Sequence, residues 1–363
     1  MTNTKNIRSI AFVLPQFHPI PENDSWWGKG FTEWTNVTKA TPLFPGHYQP
    51  HLPTDLGFYD LRLPEARIEQ AKLAKEYGIH GFCYYHYWFN GKRLLNKPLD
   101  GMLKQHDLEM PFIYCWANEN WTRRWDGLEN EVLIRQDYGT EDDKEHIRWL
   151  CENVFSDHRY IRVDDKPVFM IYRHNLFPDI TKTLDTWRTI ATTEFGMKGL
   201  YLMVAESFND RMNPLELGFD ASVEFSPHAV IRNKIKKSIN NGSFLSKLVY
   251  SKKVDSEIDF RDFNLGVEQA ISRKLPNYKL YRSVTPAWDN TPRKGENGIA
   301  AIGSSPNLYE NWLSQVISTF TPFSKEENFI FINAMNEWAE GNHLEPCIKY
   351  GRAYLEATKR ALI

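Results

Sequence analysis

Three glutamates, Glu337, Glu340 and Glu345, stand close together in the segment NEWAEGNHLEP. The apolar run NFIFINAM leads straight into it. Like charges held this close repel, and repulsion raises the pKa of one partner. A solvated turn with a capping glutamate would leave them in water. A turn facing a pocket would instead hold one proton on the Glu337/Glu340 pair. One protonated and one ionised carboxyl are what glycosidic cleavage requires: the first protonates the leaving oxygen, the second acts as base or nucleophile.

Polar and aromatic groups follow other apolar runs in the same way. Gln16 and His18 come after the first run. Tyr85, His86 and Trp88 lie in YYHYWFN, and Trp116, Asn118, Glu119, Asn120, Trp121, Arg124 and Trp125 in WANENWTRRWDG. Arg173, Glu206, Glu224, Trp288 and Asp289 close later runs. Asn336, Trp338, His343 and Glu345 belong to the opening segment, and Trp26, Trp27 and Trp34 to SWWGKGFTEWTNV. Aromatic faces stack on sugar C–H faces, while amides, acids and guanidinium groups satisfy hydroxyls. The set reads as a glycan-binding surface. The aromatic content of 14%, with 12 Trp, exceeds what a core needs.

Eight short apolar runs could position these groups: 9–15, 79–86, 111–117, 167–173, 200–207, 221–227, 281–288 and 329–336. They are near-continuous apolar stretches, as in strands covered on both faces. Helical patterns lie between most of them, over 63–78, 141–155, 179–196, 306–320 and 352–362, with Pro64 in a first turn and Gly78 at a C-cap position. Strands alternating with helices make a (β/α)8 TIM barrel the economical arrangement, with reactive groups at the C-terminal strand ends. A doubly wound open sheet is the rival, but LPQFHPIPEN lacks the Gly-rich phosphate loop that such a sheet carries after its first strand. The reading is one domain over residues 1–363. Elaborated loops occupy about 19–61, expected to be ordered but irregular, and about 228–278. The basic stretch at 232–253 is either a solvated face or a docking strip for a phosphate-bearing or lipid-linked glycan.

Composition narrows the function classes. A net charge of −2 gives no electrostatic footprint for nucleic acid. Cys83, Cys115, Cys151 and Cys347 show no CxxC or zinc spacing, so reduced thiols in a cytoplasmic protein are expected. No apolar run before Pro15 suits a signal peptide, and no stretch is long and apolar enough to span a bilayer.

The motifs LPQFHPIPENDSWWGKGFTEWTNV, FPGHYQPHLPTDLGFYDLR, GFCYYHYWFNGKRLL, WANENWTRRWDG and NEWAEGNHLEP resemble the WbsX-type, glycoside hydrolase family 99-like proteins of bacterial polysaccharide loci, over about residues 9–360. The resemblance implies a (β/α)8 enzyme that needs no metal or other cofactor and retains anomeric configuration on α-linked, mannose-type glycans. It implies that one glutamate deprotonates the sugar 2-hydroxyl, which attacks C1 to form an epoxide. A second glutamate protonates the leaving group and then activates the acceptor. Glu337, Trp338, Glu340, Gly341, Glu345 and Pro346 match the motif, making Glu337 the base and Glu340 the acid/base. The related hydrolases carry His between these acids, where this chain has Ala339. A glycosyltransferase or transglycosylase of O-antigen or capsule assembly remains an alternative, as does a non-catalytic carbohydrate-binding barrel.

Overall fold

The computed structural model describes the backbone of residues 7–123, 128–232, 234 and 258–363. All eight expected strands form. They are β1 (Arg8–Val13), β2 (Gly81–Phe89), β3 (Phe112–Trp116), β4 (Lys166–Ile171), β5 (Tyr201–Glu206), β6 (Ala221–Glu224), β7 and β8 (Phe329–Ile332). β7 is broken at Arg282 into Leu280–Tyr281 and Ser283–Val284. Neighbours pair in parallel from β1 through β6. The first half of β7 continues the ladder on β6, the second half pairs with β8, and β8 returns to β1. The ring is therefore closed, and the open sheet is excluded. β3, β5, β6 and β8 are buried at every position, which is why these runs are apolar without alternation.

Helices cover the outside. The five expected ones appear as Pro64–Glu76, Thr140–Asn153, Ile180–Thr193, Pro306–Thr319 and Ala353–Leu362. Ile180–Thr193 shows how sequence sets the packing. Asp179 caps its N-terminus by accepting from the Lys182 amide at 3.0 Å, and Ile180, Leu184, Trp187 and Ala191 recur at helical spacing on the buried face.

The first insertion is more regular than expected. It contains helices Pro21–Trp27 and Glu33–Lys39. Pro21 opens the first, and a reciprocal Thr32/Thr35 capping box opens the second. Within the second expected loop, helix Phe263–Ile271 and strand Asp259–Asp262 are formed, the strand pairing in parallel with Ile299–Ile302 beyond the loop. Most of the basic stretch at 232–253 lies outside the described residues. The four cysteines are buried and unbridged. No helix among the described residues is long and apolar enough to cross a membrane.

Candidate active site

The closing motif folds into a tight hairpin directly after β8. Asn336–Glu337 pairs antiparallel with Asn342–His343, and Trp338–Glu340 forms one 3-10 turn at the tip. Gly341 closes the turn at φ +58°, where a side chain is disfavoured. A Cβ there would also sit 3.1 Å from Asp289 Cβ. The Asp289 amide donates to the Glu340 carbonyl at 2.6 Å, so the loop after β7 clamps the tip.

This turn directs Glu337 and Glu340 into one cleft of about 470 Å³ at the C-terminal mouth of the ring. The first insertion contributes Trp26 and Trp27 to its wall, and the Trp121–Arg123/Leu128–Ile134 hairpin contributes Trp121. Trp26 meets Trp121 edge to face, with ring centres 6.0 Å apart. Gln16, Tyr85, Glu119, Asn120 and Trp288 also line the cleft, as the strand-end rule requires.

One guanidinium organises the acids. Arg293 donates from Nη1 to Glu340 at 2.5 Å and from Nη2 to Glu337 at 2.8 Å and Glu33 at 2.6 Å. Glu33 comes from the first insertion, is fully buried, and also accepts from the Ala339 amide at 3.1 Å. Three carboxyls thus converge on one cation. Loss of water outweighs the pull of Arg293 and pushes the Glu337 carboxyl up to about 8, with Glu340 and Glu33 adding repulsion. Burial raises Glu340 as well. The pair therefore retains a proton at neutral pH.

Several residues expected at the site stand behind it. On β2, side chains alternate: Tyr85 and Tyr87 face the cleft, while His86 and Trp88 turn to helix Thr140–Asn153. His86 Nε2 lies 3.0 Å from His146 Nε2, and Trp88 Nε1 donates to Asp142 at 2.8 Å. Trp116 is buried against the same histidine. Asn118 stitches β3 to β4, donating to the Arg173 carbonyl and accepting from its amide, both at 2.8 Å. Arg173 holds Glu119 at 2.5 Å without reaching the cleft wall. Asn336 prolongs the β1–β8 ladder by accepting from the Leu14 amide at 2.7 Å and donating to its carbonyl at 3.1 Å.

The remaining corrections concern supports and neighbours. Trp338 stacks on His343 at 3.8 Å and donates to Glu345 at 2.7 Å. Glu345, which burial pushes up to about 7, also accepts from Tyr59 and Gln70, so it braces the hairpin from beneath. His343 contacts His51, and Trp34 packs on Trp338. His18 is fully buried away from the cleft. Asp289 accepts from His47 and Gln49. Glu206 and Glu224 are engaged by Arg273 in an adjacent recess. Arg124 and Trp125 lie outside the described residues.

Arg293, Glu33 and Tyr172, the last of which also lines the cleft, were not anticipated. Tyr87, part of the YYHYWFN cluster at the end of β2, does line the cleft. Arg293 follows β7 in TPRKGEN as an unremarkable surface-type arginine, and nothing local announces its partners.

Residues 9–358, nearly the whole chain, match the family described as Glycosyltransferase WbsX. The chain belongs to the WbsX family. Two uncharacterised WxcX proteins from strains of Xanthomonas campestris pv. campestris are 42% identical over 356 residues, covering 97% of this chain and 49% of theirs. The WbsX chain thus spans about half the length of these curated relatives. Its fold is also that of a glycoside hydrolase-like protein, with TM-score 0.63 at 14% identity, covering 100% of this chain and 95% of that one. The GH99 endo-α-mannosidase from Bacteroides thetaiotaomicron gives TM-score 0.57 at 14% identity, covering 98% and 96%. At such identities the likeness establishes a shared barrel.

Proposed function

We propose that this chain is a glycan-active enzyme that works with retention on α-linked, mannose-type glycans through Glu337 and Glu340, in one barrel domain spanning 1–363. The observation that carries the reading is the buried acid pair sharing Arg293 on the wall of a tryptophan-rich cleft. Such a cleft offers stacking faces for sugar rings and raises both carboxyls, so that Glu340 can hold the proton for the leaving oxygen once Glu337 has ionised.

In the proposed course, Glu340 protonates the leaving oxygen as its bond to C1 breaks. Glu337 takes the proton of the sugar 2-hydroxyl as O2 bonds to C1. Glu340 then accepts a proton from the incoming hydroxyl as that oxygen opens the C1–O2 bond, and Glu337 returns its proton to O2. Water as acceptor gives hydrolysis; a sugar hydroxyl gives transfer. The family's description as a glycosyltransferase favours keeping transfer as the second reading.

Screening aryl α-glycosides and bacterial polysaccharides, with and without sugar acceptors, tests this, with product NMR fixing the anomer. Glu340→Gln should cost roughly 10²- to 10⁴-fold in rate. Because Glu337 must ionise to act as base, the acidic limb of the wild-type rate profile should lie well above the ordinary glutamate range, toward pH 8. Binding of glycans with no turnover on any acceptor would leave only a carbohydrate-binding barrel.

A further inference from the structure

Beside the cleft, at the C-terminal ends of β5 and β6, lies a smaller recess of about 50 Å³. Phe225 and His228 line both spaces, so the recess opens from the wall of the cleft. Its volume holds on the order of four waters, enough for one small polar group and too little for a sugar ring.

The charge on its walls is unbalanced. Glu206 and Glu224 are neighbours across the β5–β6 ladder. Arg273 spans them at 2.7 and 2.6 Å, and Arg282 reaches Glu224 from behind at 2.6 Å. Those two arginines neutralise the two acids. Arg211 and Arg232, both solvent-exposed, line the mouth of the same recess and form no ion pair among the described residues. Partial burial disfavours the charge on Arg232, Arg211 and Arg273 add repulsion, and Glu206 offsets part of it. Burial draws His228 down to about 4, so it is neutral and adds no competing charge. Guanidinium groups in excess over the acids they face form a site for a bidentate anion.

We propose that this recess binds a phosphate or carboxylate carried by the glycan that occupies the neighbouring cleft. The proposal rests on reading that cleft as a glycan site, and it makes the substrate an anionic one. Arg211 and Arg232 supply the binding charge, while the Arg273 bridge holds the acidic wall neutral.

Titration calorimetry with inorganic phosphate and with glucuronate, each alone, tests the recess without requiring turnover, with mannose as the neutral control. At least one anion should bind saturably, one per chain. The double variant R211Q/R232Q should weaken that binding at least tenfold, and E337Q should leave it unchanged. Stronger binding of phosphate assigns a phosphorylated or diphosphate-linked glycan; stronger binding of glucuronate assigns an acidic sugar. The single variants R211Q and R232Q, each with a wild-type unfolding curve, guard against a folding defect in the double. Absence of saturable binding by both anions, or equal binding by the double variant, overturns the proposal. Failure of the acid-pair reading would show separately, as absence of turnover in a protein that still binds the anion.

Discussion

Replacing Glu337 by Gln should make the protein more stable at neutral and alkaline pH while removing its chemistry. The carboxyl is only 6% exposed, and burial lifts it from 4.5 to about 8. A group whose pKa is raised on folding binds its proton more tightly in the native state. Stability from it is therefore fully present below the unfolded value and declines as pH rises through the folded one. The full change is on the order of 5 kcal/mol. Between pH 5 and 8 this residue accounts for about 3–4 kcal/mol, close to one proton's slope of ~1.4 kcal/mol per pH unit over the middle of that range. The isosteric amide accepts from Arg293 through its oxygen and does not titrate. Urea unfolding at pH 5, 6, 7 and 8, followed by tryptophan fluorescence, should show a steep decline for the wild type. E337Q should decline less by about one proton, the remaining slope coming partly from Glu345 at about 7. Parallel profiles for the two proteins would mean that Glu337 ionises as an ordinary carboxylate, and the reasoning about the retained proton would fail.

Arg293→Met leaves Glu33, Glu337 and Glu340 without their shared cation; unfolding at pH 7 should show a loss of about 3–5 kcal/mol that shrinks as pH falls and the acids protonate. Trp121→Ala removes one face of the aromatic wall and should weaken glycan binding by about 1–2 kcal/mol, read by titration with an oligosaccharide substrate. Gly341→Ala combines a left-handed backbone with the close Asp289 Cβ, and should cost at least about 1 kcal/mol by urea unfolding, with a larger fractional loss of rate as the tip moves.

The barrel was legible because its strands are buried on both faces, so their apolar runs stand out from the flanking helices. β7 was the exception in detail. The run 281–288 mixes a short broken strand with the loop after it, and no periodicity separates them. The acid pair was legible for a different reason: Glu337 and Glu340 follow an apolar run with no basic residue interleaved. His86 and Trp88 were placed at the mouth because they adjoin Tyr85, yet a strand turns successive residues to opposite sides, and Tyr87 takes the inward place. Glu33 and Arg293 stayed hidden because their meaning lies in convergence across 260 positions of chain. The helices of the first insertion were announced by Pro21 and by the Thr32/Thr35 pairing, signals masked by the density of Pro, Gly and aromatic residues around them.

The break in β7 gives the ring a seam. Two residue pairs join it to β6 and two join it to β8, where β2 and β3 share five. Arg282 sits at the gap, its side chain committed to Glu224 and to the Ala270 carbonyl. The Arg282 carbonyl still accepts from the Phe331 amide of β8 at 2.9 Å, and the side chain adds an ionic rivet at the edge of the arginine-lined recess. One residue therefore serves both the closure of the cylinder, through its backbone, and the charge balance beside that recess, through its side chain.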